Sequence, residues 1–112
     1  MQLLFNLFIV FFSTFLFSTQ NISAQSLDFN AGKEIFSQNC TACHEGGQNV
    51  VVSEKNLSKN ALEDNDMYSI DAIINQVTNG KGIMPAFGAR LSDDDIQNVA
   101  QYVLNQAETS SW

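Results

Sequence analysis

The apolar residues of this chain are unevenly placed, and that placement decides what can fold. Six of the nine phenylalanines lie before residue 18, inside the fifteen-residue run 3–17, LLFNLFIVFFSTFLF. That run is shorter than the about 20 residues a membrane-crossing helix needs, and it has the length of an export-signal core. Polar Ser18, Thr19, Gln20 and Asn21 follow, and Ile22-Ser23-Ala24 then offers a small residue at a cleavage position. We therefore expect residues 1–24 to form a cleavable signal peptide, cut after Ala24 or one or two residues later, and residues 25–112 to form the folded domain. The leader has no Lys or Arg ahead of its apolar run, so only the amino terminus supplies the positive end. Retention as a permanent anchor is the alternative, and Asn6 and the polar exit count against it.

Without the leader, 88 of the 112 residues remain, and they carry all five basic and all twelve acidic side chains, a net charge of -7. That balance argues against nucleic acid or an anionic membrane as partner and favours basic surfaces. One domain fits this length, with no space for a second lobe. The aromatics left are Phe29, Phe36, Tyr68, Phe87, Tyr102 and Trp112, a thin core for a domain that size. Chains this small often need a disulfide, a metal or another staple.

The pattern along 25–112 is helical, with no alternating strand bounded by hairpin turns, so the fold class is all-α. A first helix is expected from Asn30, as N-cap, to the cysteines, with Gly32 and Phe36 on one face. Gly46 and Gly47 end it and open a loop through Val50, Val51 and Val52 to about Asn56. A short helix is expected over 57–64. The next helix starts at a Ser69 cap, forms an apolar face from Ile70, Ile73, Ile74 and Val77, and stops at Gly80. Residues 81–90 form a loop around Pro85, the single proline, which pushes Met84 towards an extended backbone. The last helix opens with Ser92 and Asp95 as a capping box and turns Ile96, Val99, Ala100, Val103 and Ala107 inward.

Cys40-Thr41-Ala42-Cys43-His44 is the staple. Cys-x-x-Cys-His is the attachment sequence of c-type haem, in which two thiols one turn apart add to the two vinyl groups and the adjacent imidazole reaches the iron. His44 is the single histidine of the chain. The rivals are a thioredoxin-like redox pair, a structural disulfide and half a zinc site. The first lacks a βαβ context, the second leaves His44 without a role, and the third lacks a fourth ligand. The sixth ligand separates electron transfer from small-molecule binding. Met84 and Met67 are the candidates: Met84 sits on the proline-stiffened loop, whereas Met67 reads more simply as a core residue.

Gly32-x-x-x-Phe36 before the haem sequence and Val99-x-x-Tyr102 on the last helix resemble the crossed terminal helices of class I cytochromes c. Within that class the chain resembles the cytochrome c6 family over essentially all of residues 25–112. The resemblance is carried by Phe36-Ser37-Gln38-Asn39-Cys40, Ile70-Asp71-Ala72-Ile73, Gln76-Val77-Thr78-Asn79-Gly80-Lys81, Met84-Pro85-Ala86-Phe87-Gly88, Arg90-Leu91 and Tyr102-Val103-Leu104.

It implies a class I cytochrome c fold of about four helices around one covalently bound haem c. Cys40 and Cys43 would form the thioethers, with His44 and Met84 as axial ligands. The implied role is that of a single-haem electron carrier, not an enzyme, taking electrons from the cytochrome b6f complex through cytochrome f and giving them to photosystem I. The implied compartment is the thylakoid lumen of a plastid or cyanobacterium, the implied form a monomer with at most weak self-association. Gln76 falls where the family places a glutamine that influences potential, a solvent-exposed polar residue being the alternative. Arg90 falls near the docking surface, a loop-stabilising ion pair being the alternative. Two other functions stay open: donation to a respiratory oxidase, and a haem protein that binds a small ligand at an open sixth site.

Overall fold

A computed structural model describes residues 28–112, and the expected signal peptide lies outside the described residues. Five α-helices follow one another: α1 (Phe29–Asn39), α2 (Thr41–His44), α3 (Lys59–Asp64), α4 (Ile70–Asn79) and α5 (Asp93–Thr109). Short 3-10 turns cover Glu45–Gly47 and Ser53–Lys55, and among the described residues there is no strand beyond one isolated bridge between Lys81 and Met84. The all-α expectation holds.

The first helix begins slightly earlier than its sequence suggests. Asp28, not Asn30, is the N-cap: its carboxylate accepts from the backbone N–H groups of Asn30 at 3.0 Å and Ala31 at 3.1 Å. Both side chains suit an N-cap, but the Asp28 N–H also donates to Asn98 Oδ1 at 3.1 Å, a tertiary bond that local sequence does not disclose. The helix also ends at Asn39, so Cys40 sits at a break between α1 and the single turn α2, which holds Cys43. The other helix starts agree with expectation. Ser69 Oγ accepts from Ala72 N–H at 3.2 Å, and Ser92 and Asp95 make a reciprocal capping box. Helix α3 is shorter than the expected 57–64 because Ser58 caps it, its Oγ accepting from Ala61 N–H.

The core is the crossing of α1 on α5, with α4 against the other flank of α5. Phe36, Ile73, Val99, Ala100, Tyr102 and Val103 are buried there together. Gly32 makes the crossing close: a Cβ at this position would lie 2.8 Å from the Asn98 carbonyl carbon and 2.9 Å from Tyr102 Cβ. Aromatic rings extend the contact, Tyr102 lying 5.1 Å from Phe29 and 5.4 Å from Phe36 between centroids. Met67 packs against this core, the ordinary reading of that residue. The crossing thus fixes where α1 delivers the Cys-x-x-Cys-His turn and where α4 delivers the Met84 loop.

Candidate haem site

The proximal half is the turn that continues α1. Cys40 is partly buried and Cys43 exposed, and both are free thiols. Burial pushes the Cys40 thiol up to about 11, so it remains a neutral S–H at ordinary pH, unlike the activated thiolate of a redox pair. His44 Nδ1 lies 2.8 Å from the carbonyl oxygen of Gln48. A carbonyl can only accept, so Nδ1 carries the proton and Nε2 keeps its lone pair for a metal. Among the described residues no three His, Cys, Asp or Glu side chains gather as a metal cluster.

The distal half is the loop after α4. Gly80, at φ +68°, turns the chain so tightly that a Cβ there would sit 2.6 Å from the Met84 carbonyl oxygen. Lys81 N–H donates to Met84 O at 3.1 Å and Met84 N–H donates to Lys81 O at 3.0 Å, closing a small ring that holds Met84. Beyond Pro85 the chain is clipped back to α4, Phe87 N–H to Val77 O at 2.9 Å and Gly88 N–H to Thr78 O at 3.1 Å. The half-buried Gln76 amide, one turn before the end of α4, donates to Met84 Sδ at 3.4 Å. Gln76 is therefore tied to the candidate ligand, against the alternative of a plain solvent-exposed side chain.

Arg90 is exposed and lies over the Phe87 ring, 4.5 Å from guanidinium carbon to centroid. It makes no ion pair among the described residues, which leaves the loop-stabilising salt bridge without a partner. Asp93, Asp94 and Asp95 all stand in the first turn of α5, where the helix dipole accounts for them.

Sequence reasoning missed two parts of the site. The Gln48 carbonyl that orients His44 is a backbone group, and residue identity carries no trace of it. The other is Trp112, whose indole N–H donates to Leu57 O at 2.9 Å while its ring covers the buried Gly47. A glycine pair followed far away by a single tryptophan was the available signal, and it is a weak one.

The donor set fits haem c: two free thiols and a tautomer-fixed imidazole on one turn, with a thioether held by a closed loop. Comparison with known proteins agrees. Residues 27–103 match the family model described as cytochrome C oxidase, cbb3-type, subunit III. The chain is 50% identical over 112 residues to cytochrome c6 of Gracilaria tenuistipitata var. liui, covering 100% of both chains. It is 59% identical over 81 residues to cytochrome c6 of Bumilleriopsis filiformis, covering 72% of this chain and 94% of that one. Among solved structures, cytochrome c6 from the diatom Phaeodactylum tricornutum superposes with a TM-score of 0.73 at 54% identity, covering 76% of this chain and 99% of that one. The haem-attachment sequence, the crossed helices and these relatives together show that the chain belongs to the cytochrome c6 family of class I cytochromes c.

Proposed function

We propose that the chain carries electrons singly on one covalently bound haem c from the cytochrome b6f complex, through cytochrome f, to photosystem I. Family membership supports an electron carrier with haem c as its cofactor. The observation that favours electron transfer over ligand binding is the Met84 sulfur, fixed by the Lys81–Met84 ring and contacted by the Gln76 amide. A thioether restrained in this way would fill the sixth position permanently, which an electron carrier needs and a ligand-binding protein does not.

When bound, the haem supplies the ferric/ferrous couple. Cys40 and Cys43 would hold it by thioethers, with His44 offering Nε2 and Met84 its sulfur. The Gln76 N–H, bound to that sulfur, would temper its donation to iron. No bond in a substrate is made or broken.

Ile83, next to Met84, is 76% exposed, an apolar side chain that a partner can cover beside the ligand loop. Arg90 on its Phe87 platform provides a fixed cation for docking close by in sequence. The net charge of -7 favours encounter with basic patches, in a salt-dependent way. Transient transfer needs only a small contact and a monomer, so self-association is weak at most. Among the described residues no helix is long and apolar enough to cross a membrane. With residues 1–24 as a cleaved export signal, the domain works in the thylakoid lumen of a plastid or cyanobacterium.

The test is flash-induced reduction of photosystem I by the purified holoprotein, with Met84→Ala beside it. Wild type should reduce it in a saturable, salt-dependent way, and Met84→Ala should gain a ferric spectrum that responds to added imidazole. A wild-type spectrum that already responds as fast would remove Met84 as ligand and favour the open-site alternative. Reduction of photosystem I no faster than by a small-molecule donor would remove the route. A respiratory oxidase is the rival acceptor, and the same protein presented with that oxidase tests it.

A further inference from the structure

Trp112 lies far from both candidate ligands in sequence, yet it closes the loop that orients one of them. Its Nε1–H donates to Leu57 O at 2.9 Å. Its indole lies against Gly47, which is buried at φ +75°, so that a Cβ there would come 2.7 Å from Trp112 Cδ1. Leu57 N–H in turn donates to Gly47 O at 2.7 Å. One indole therefore covers both ends of the segment 47–57 at the point where they are hydrogen-bonded together.

That segment has little core of its own. Val50 is 70% exposed and Val51 49%, so neither anchors it. It is shaped from within by Asn49, whose Oδ1 accepts from the N–H groups of Val51 and Val52 and whose amide donates to Lys55 O. It touches the haem turn at two places, Gln48 O on His44 Nδ1 and Val50 N–H on Cys43 O at 3.1 Å. The indole is itself fixed by the helix crossing, 5.2 Å from the Phe36 ring and edge-on to Tyr102 at 5.9 Å.

We infer that Trp112 is a positioning residue for the proximal imidazole: it transmits the rigidity of the α1–α5 crossing through the Gly47–Leu57 closure to the Gln48 carbonyl and so to His44. The inference rests on His44 being the axial ligand. A carbonyl on the second ring nitrogen sets both the orientation and the basicity of a metal-bound imidazole, so loosening its loop loosens the ligand without touching it. An indole that merely fills the core would instead weaken every part of the domain alike.

Hydrogen exchange followed by NMR on the ferrous holoprotein separates the two. In Trp112→Ala the His44 Nδ1 proton and the Val50 and Leu57 amides should exchange about tenfold faster, the factor carried by the loss of roughly one hydrogen bond. The Met84 and Phe87 amides, in the distal loop, should keep wild-type rates. Trp112→Phe keeps a ring over Gly47 but loses the donor to Leu57 O; it should give a smaller acceleration in the same three protons, and it carries the test if the alanine variant does not fold. Unchanged rates at His44, or equal acceleration at Met84 and Phe87, would overturn the inference. A wild-type His44 ring without haem-shifted resonances would overturn the ligand assignment first, and the inference with it.

Discussion

The close approach of Gly32 to α5 offers the sharpest quantitative test. Replacing Gly32 with Ala adds one methyl group, and its carbon would meet the Asn98 carbonyl carbon at 2.8 Å and Tyr102 Cβ at 2.9 Å. Neither neighbour is the movable end of a flexible side chain, so α1 itself must shift, by roughly 1 Å to restore ordinary contact. Overpacking of this kind costs about 3 kcal/mol where backbone opposes it. Against this, alanine gains about 1 kcal/mol of helix propensity over glycine. The net loss is then about 2 kcal/mol, or roughly 8–16 °C in Tm for a domain this small. Thermal unfolding of the holoprotein by far-ultraviolet circular dichroism reads this directly. Ser37→Ala, on the exposed side of the same helix, is the control and should stay within about 0.5 kcal/mol. A Gly32→Ala protein as stable as wild type would refute the reasoning, because propensity would then outweigh the close approach.

Two other outcomes are expected. Gln76→Leu removes the N–H from the Met84 sulfur, makes the thioether a stronger donor to ferric iron, and should lower the reduction potential by about 40 mV, from about 1 kcal/mol for a neutral hydrogen bond; protein-film voltammetry would show it, and a rise would reverse the assigned role. Ser92→Ala deletes the cap of α5 and should cost about 1 kcal/mol in urea unfolding with the m-value unchanged.

Much of this architecture is legible in the chain because its signals are local. Ser69, Ser92 with Asp95, and the apolar spacing of α4 and α5 each act within one or two turns, and the structure follows them. The haem turn is legible for the same reason: its three reactive side chains are neighbours. Tertiary bonds escape such reading. Asp28 takes the cap of α1 while its N–H is bound by Asn98, 70 residues away. Gln76 looks like any polar helix residue until the loop returns Met84 to it. The Gln48 carbonyl and the indole of Trp112 act on His44 through backbone groups, which all residue types share.

The expected removal of residues 1–24 would couple maturation to folding at that first cap. A cut after Ala24 leaves Gln25, Ser26 and Leu27 ahead of Asp28, a margin of three residues. A peptidase that strayed just past that margin would remove the carboxylate that starts α1 and the N–H that joins α1 to Asn98 in one stroke. The site of trimming would thus help to set how firmly the helix crossing closes, because losing the cap alone costs about 1 kcal/mol.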